Sequence, residues 1–446
     1  NAQTGTMAGN DPAALIIQSS IISGGISNAG LIDGKIFIRS TQLSSGINNE
    51  GTVTGSSPNG NADAFSFEHS TLTGGFRNSG SIQGLLFGRY LSPFFVVAGG
   101  SVSGGVINTG VVQNLRANTW SSPYFGSQIV GTTISGAVVN SGLIAGDQGV
   151  LIFGSSILDG FSNLAGTITA LSGVAGQGLV VSNSEIANGL TNTGLIAASG
   201  AAALAFNAST LAGGIVNTGS IVGTKGITFA NSSLSGGVNN SGLIAGLNGL
   251  ALAATGLPST LTVQNAQSGN IIGAVSGNFD VSNSGLLALQ TLSGIGGTIT
   301  AGSHVNATIA GNYIQSGTGA LRIGVTGSNG SGAVVGNYSQ MTVGGIASFA
   351  PGGSIMVYMN DPYAITATGS AGVLNVVSVS GASSLTVSGL NVIDNTPYVN
   401  FVWSTVGGLL SLEAYSTGPC GNVTVVGRDA PCEISSVTGY TFVNVA

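Results

Sequence analysis

Apolar and polar residues in the first half of this chain follow one short pattern. It reads aliphatic, three residues, aliphatic, one residue, Asn, one residue, Gly, one residue, aliphatic. Ile22, Ile26, Asn28, Gly30 and Ile32 form one copy; Leu43, Ile47, Asn49, Gly51 and Val53 form the next. The pattern returns around Asn78, Asn108, Asn140, Asn163, Asn192, Asn217 and Asn240, with one extra residue in the Asn163 copy, whose glycine is Gly166. Equivalent Asn residues lie 21 to 32 positions apart while the pattern keeps its length. The variable residues therefore belong to lateral loops on a stacked unit. The aliphatic positions fall at even offsets, as on one face of an extended strand. Asn-x-Gly between them predicts a turn, since both residues tolerate φ > 0. Strand, turn, strand and loop, repeated, predict an all-β chain folded as a parallel β-helix, a solenoid of about 17–20 coils. The nine Asn side chains should stack along one edge and satisfy each other's amides.

Composition narrows the alternatives. The chain has 446 residues with 76 Gly, 43% hydrophobic and only 5% charged residues. Ordinary domains carry about 25% charged residues. Patterned aliphatics at this density argue against disorder, and glycine without a three-residue period excludes collagen. No uninterrupted apolar run reaches the ~18 residues of a membrane helix. A net charge of −6 with eight scattered basic residues argues against nucleic-acid binding. The chain starts at Asn1 with no signal peptide, as expected of a mature product whose export signal was removed. Cys420 and Cys432 are the only cysteines. A disulfide between them would close a short loop in an oxidising compartment; two unpaired buried thiols are the alternative.

The chain divides into a polar leader (1–14), repeats over 15–309, a region of longer strands over 310–415 and a cysteine-bearing extension over 416–446. Between 251 and 309 the repeat degrades, with a late echo at Asn283-Ser284-Gly285. Long insertions near 85–130 are rich in aromatics: Phe87, Tyr90, Phe94, Phe95, Trp120, Tyr124 and Phe125. Aromatics are enriched at contact surfaces, so these seven form a candidate partner-binding set. A loop packing its own small satellite core is the structural alternative.

From residue 311 a family becomes recognisable. Gly311-Asn312-Tyr313-Ile314-Gln315 and Gly319-Ala320-Leu321-Arg322-Ile323 resemble the G-x-Y-x-Q and G-x-L-x-I element of autotransporter (type V secretion) passenger domains. Val343-Gly344-Gly345-Ile346-Ala347-Ser348-Phe349 is similar to the V-x-G-x-A-x-F strand that follows it there. Val392-Ile393-Asp394-Asn395 and Tyr398-Val399-Asn400-Phe401 resemble the closing strands of such a passenger. The resemblance covers about 100 residues. It implies a right-handed β-helix, secretion to the bacterial cell surface and an autochaperone-like cap over 310–415. The outer-membrane barrel that the family carries after this region has no counterpart in the sequence. The resemblance fixes no activity, because one fold hosts many functions.

Candidate chemistry is sparse. Asp33, Lys35 and Arg39 form the densest mixed cluster, most simply a solvated strand face. Asp147 and Asp159 would have to meet across coils to act as a glycosidase pair. His69 and His304, the only histidines, lie in different regions, and no G-x-S-x-G elbow accompanies them. Asp63, Glu68 and His69 read as a loop cluster. Gly24-Gly25 and Gly104-Gly105 lack the Lys-Ser/Thr of a phosphate loop. The expectation is no catalytic residue, no metal and no cofactor: a non-enzymatic extracellular structural protein that assembles head-to-tail with itself into a surface fibre or layer. The alternative is an adhesin that binds a cell-surface glycan or protein through its lateral loops.

Overall fold

The computed structural model describes residues 1–9, 13–55, 64–84, 95–114, 125–171, 176–326, 337–360, 369–380, 384–395 and 399–416. Among them every regular element is a strand, and the strands stack in register into three sheets of 27, 9 and 14 strands. The chain is a parallel β-helix. The 14-stranded sheet has one strand per coil, so there are fewer coils than the pattern suggested. Lateral excursions, such as the one between Leu289 and Asn306, take up the difference.

Each early coil has three sides. Ile36–Arg39 belongs to the wide sheet, Gln42–Leu43 to the two-residue sheet and Ile47–Asn49 to the third; Thr52–Gly55 then returns to the wide sheet. The sequence suggested two strands separated by a turn. The third side arises because the chain bends twice more, at left-handed residues. Ser40, His69, Asn183 and Ala208 (φ 46–51°) make one corner, and Gly46, Gly75, Gly189 and Gly214 (φ 72–85°) the other. Leu43 and Ile47 therefore point inward from different strands. Both are buried, as are Leu72, Phe76, Leu211 and Ile215. One continuous apolar core runs from Ile32 to Leu412.

The Asn-x-Gly corner is built differently from the expected φ > 0 turn. None of its Asn residues, and no glycine from Gly30 to Gly242 in this column, has positive φ. The glycine is needed for clearance. A Cβ on Gly80 would lie 2.0 Å from the Gly51 carbonyl oxygen, and one on Gly110 would lie 2.0 Å from that of Gly80. Gly51, Gly142, Gly194, Gly219 and Gly242 stack in the same way on the glycine of the preceding coil, whereas Gly166 abuts Asn140.

Asn side chains line this corner as expected. Asn28 Nδ2 donates to Asn49 Oδ1 at 2.8 Å, and the same bond at 2.7–2.8 Å links Asn49, Asn78, Asn108, Asn140, Asn163, Asn192, Asn217 and Asn240 in turn. The ladder continues where the repeat seemed to degrade, through Asn265 and Asn283. There Asn283 donates to the Tyr313 hydroxyl, which donates to Gln315 Oε1. Burial pushes the Tyr313 phenol above its ordinary pKa, partly offset by the Asn283 bond, so it stays a neutral donor.

A second ladder was not anticipated. Ser155, Ser184, Ser209 and Ser232 are buried at the first left-handed corner. The amides of Thr132, Ser155, Ser184 and Ser209 donate to the hydroxyl one coil on, at 3.1–3.2 Å. Each serine hydroxyl donates to the carbonyl two residues before it. Replacing Ser184 by Ala would remove the acceptor of the buried Ser155 amide. A loss of about 1–2 kcal/mol is expected, read as a lower urea midpoint at unchanged slope, whereas Ser235→Ala on the exposed turn should leave the midpoint where it is.

Two features frame the ends of the stack. Thr6–Ala8 of the leader pairs in parallel with Leu31–Asp33, and Asn1 Nδ2 donates to Asn28 Oδ1. The polar leader expected over 1–14 thus adds a partial coil against the first repeat. At the other end, parallel pairing stops at Asn391–Asp394. The region 310–415, expected as a cap, therefore does not stay parallel throughout. Instead Leu409–Ser416 pairs antiparallel with both Gly369–Val379 and Val399–Val406. This hairpin places Phe401, Leu410 and Leu412 over the core, and Trp403 Nε1 donates to the Leu390 carbonyl.

Candidate functional site

Lateral segments are the part of this fold free to vary, and the structure places their roots at one line on the wide sheet. Gly55, Gly84 and Asn114 are register partners, and each is the last residue of its strand. The chain re-enters at Phe65 and Phe95, which also pair, and at Phe125 just before Gln128, the partner of Val96. The strands that precede residues 56–63, 85–94 and 115–124 thus end at equivalent points of successive coils. In the next coil the same crossing takes only Asp147, between Leu143–Gly146 and Gln148–Phe153. Further along it becomes a bulge inside continuous strands, with register shifts between Ala198 and Ala202 and between Gly223 and Lys225. A bulge in one sheet already lacks a complete rung of hydrogen bonds, so chain can be added there at little cost to the stack.

Of the candidate aromatics, Phe87, Tyr90, Phe94, Trp120 and Tyr124 lie outside the described residues, as do Asp63, Cys420 and Cys432. Phe95 opens the strand Phe95–Ala98. Phe125 opens Phe125–Val130, half-buried beside its register partner Gln148.

The polar candidates do not converge. Asp33 accepts from Thr54 at 2.9 Å, Lys35 sits 4.9 Å from the Phe37 ring centroid, and Arg39 faces Glu68 at 4.0 Å. Both partners of that last pair are partly solvated, which makes it weak. Asp147 lies on the wide sheet, whereas Asp159 lies between the two-residue sheet and the third, where it accepts from Asn188. His69 occupies a left-handed corner against Gly99, and His304 lies in the excursion before Asn306. Among the described residues no three His, Cys, Asp or Glu side chains are grouped as a metal site would need, and no helix is long and apolar enough to cross a membrane.

Sequence reasoning missed a second apolar surface. Val222, Ala245, Ile272 and Ala288 point away from the main core and pack with Leu292 and Ile299. Leu292 and Ile299 bridge to each other in the excursion that follows Leu289. Strands buried on both faces read as near-continuous apolar runs, and Leu286-Leu287-Ala288-Leu289 was such a signal.

No protein-family model matches the chain, and no curated protein does.

Proposed function

We propose that this chain is an extracellular, non-catalytic β-helical rod of the autotransporter-passenger kind, and that it works at the bacterial cell surface by binding a ligand on a neighbouring cell through residues 85–94 and 115–124. The observation that carries this reading is the common register of the segment roots at Gly55, Gly84 and Asn114. Stacked strand ends about 4.8 Å apart put the points at which residues 56–63, 85–94 and 115–124 join the wide sheet on one line, and residues 85–94 and 115–124 contain five of the seven candidate aromatics, Phe87, Tyr90, Phe94, Trp120 and Tyr124. A rigid scaffold under variable loops is a common way to build a binding surface.

The test is a chain in which residues 85–94 and 115–124 are each replaced by a short Gly/Ser turn. Its urea midpoint should match the parent, and its binding to cells or to a glycan array should fall to background. Unchanged binding would show that the contacts lie elsewhere. Robust cleavage of any glycan by the parent chain would overturn the non-catalytic part of the proposal.

A second reading, head-to-tail assembly into a fibre, draws support from the first coil. Leu15, Ile17, Ile22 and Ile26 are only partly buried, although their counterparts one coil on are covered, and Ile21 is 80% exposed. Exposed apolar residues of this kind stick unless covered, and a heterologous contact propagates. Light scattering should then give a mass that rises with concentration and falls in the Ile16→Lys/Ile21→Lys variant. A parent chain that stays monomeric at high concentration excludes the fibre.

A further inference from the structure

Arg322 is a half-buried cation with no carboxylate against it among the described residues. It lies in Ala320–Val325 of the wide sheet, with Ala288 and Met356 as register partners. Its Nε donates to Gln290 Oε1, and its guanidinium carbon lies 3.5 Å from the Tyr358 ring centroid. Gln290 is itself fully buried and donates through Nε2 to the Thr300 carbonyl at 3.2 Å. The excursion after Leu289 is pressed onto this spot. A Cβ on Gly324 would lie 1.7 Å from the Ser303 carbonyl oxygen, and Gly302 abuts Asn360. The guanidinium is therefore held along its Nε edge and across one face. Its Nη1–Nη2 edge makes no hydrogen bond among the described residues. The other described arginines, Arg39 and Arg77, are exposed.

A charge drawn out of water is ordinarily paired. Burial holds the Arg322 guanidinium below its ordinary pKa, and Tyr358 offsets this only in part. What the geometry leaves open is the pair of terminal nitrogens, the edge with which arginine grips a planar oxyanion through two parallel bonds. Stacking on Tyr358 fixes the plane of the fork before any ligand arrives, which limits the entropy lost on binding. Thr300 and Asn360 are exposed on the same excursion and strand end, and neither side chain makes a hydrogen bond among the described residues. Thr300 is joined through its carbonyl to Gln290 and Asn360 follows Tyr358 by two residues, so a hydroxyl and an amide lie on the segments that hold the guanidinium.

We propose that Arg322, backed by Tyr358 and Gln290, binds the carboxylate of a uronic acid residue in an acidic glycan, with Thr300 and Asn360 receiving the sugar hydroxyls. This site is separate from the lateral segments and does not depend on their role. The full chain would be titrated at neutral pH with glucuronate, glucose, acetate and N-acetylglutamate, followed by calorimetry and by the Arg322 Nε–Hε resonance. Glucuronate should give a saturable shift, acetate and N-acetylglutamate should bind about tenfold more weakly, and glucose should give none, because the fork needs an anion and the flanking groups need hydroxyls. Arg322→Lys should weaken glucuronate about tenfold by removing the bidentate fork. Met356→Glu, which sets a carboxylate on the cross-strand neighbour, should abolish binding by occupying the fork from within. No saturable glucuronate binding would overturn the proposal. Acetate or N-acetylglutamate binding as tightly as glucuronate would overturn the sugar assignment, and wild-type affinity in both variants would remove Arg322 from the site.

Discussion

Asn192→Asp should destabilise the protein by about 3–5 kcal/mol at pH 7, the cost of an uncompensated buried charge, and most of that loss should vanish in acid. Asn192 is fully buried. Its Oδ1 accepts from Asn163, and its Nδ2 donates to Asn217 Oδ1 and to the carbonyls of Gly194 and Ser220. A carboxylate could still accept from Asn163. It would also face the Asn217 oxygen and two carbonyls with no proton to offer. The charged form is thus disfavoured by desolvation and by its neighbours, and the folded-state pKa of the new Asp must lie above the unfolded value of ~3.9. The sign follows. Between the two pKa values the folded state binds more protons than the unfolded state, so stability falls as pH rises through the folded pKa. Below the unfolded pKa both states are protonated. The carboxylic acid then donates its one O–H to Asn217, and a deficit of about 1 kcal/mol remains for the carbonyls left without a donor. Urea midpoints of variant and parent, compared from pH 3 to pH 8, would check this. A penalty that stayed constant across that range, or one absent at pH 7, would mean that Asn192 is not held in a dry ladder.

Much of the fold was legible because one residue type meets one demand in every coil. Asn-x-Gly recurs since each Asn must accept from the coil before and donate to the coil after, and each Gly must clear a carbonyl. The hydroxyl ladder left a trace of its own, broken at Gly100: Thr41, Ser70, Thr132, Ser155, Ser184, Ser209 and Ser232 all stand two residues before the first aliphatic of a copy. Two-residue strands such as Gln42–Leu43 are too short to show alternation, which hid the third side. Past Asn283 the corner is filled by Tyr313 and Gln315, so the pattern fades while the stacking continues. Gln290, Arg322 and Tyr358 could not be grouped in advance. They meet only through sheet register and through an excursion whose path the sequence does not fix. The root line of the lateral segments was hidden for the same reason, since only pairing across coils shows that Gly55, Gly84 and Asn114 are equivalent.

Two glycine-to-alanine substitutions should move stability in opposite directions. In Gly219→Ala the new Cβ would stand 2.1 Å from the Gly194 carbonyl oxygen and 2.6 Å from the carbon of Thr193. Both are backbone atoms, so no side chain can swing aside. The Gly194 oxygen is also the acceptor of the Ser220 amide at 2.8 Å, a rung that holds the two coils together at this corner. Relief of the clash must stretch that rung or shift a whole coil against the Asn ladder beside it. The expected loss is about 3 kcal/mol, at the upper end of the overpacking range. Gly24 sits in the turn between Ile21–Ile22 and Ile26–Asn28, with nothing within 4 Å of its would-be Cβ and no left-handed φ. Gly24→Ala should therefore gain about 0.4–1 kcal/mol by narrowing the unfolded ensemble without disturbing the folded one. Urea midpoints of the two variants against the parent decide it. Equal and small shifts would mean that the Asn-x-Gly glycine is a turn residue after all, chosen for its own conformation rather than for the coil stacked beneath it.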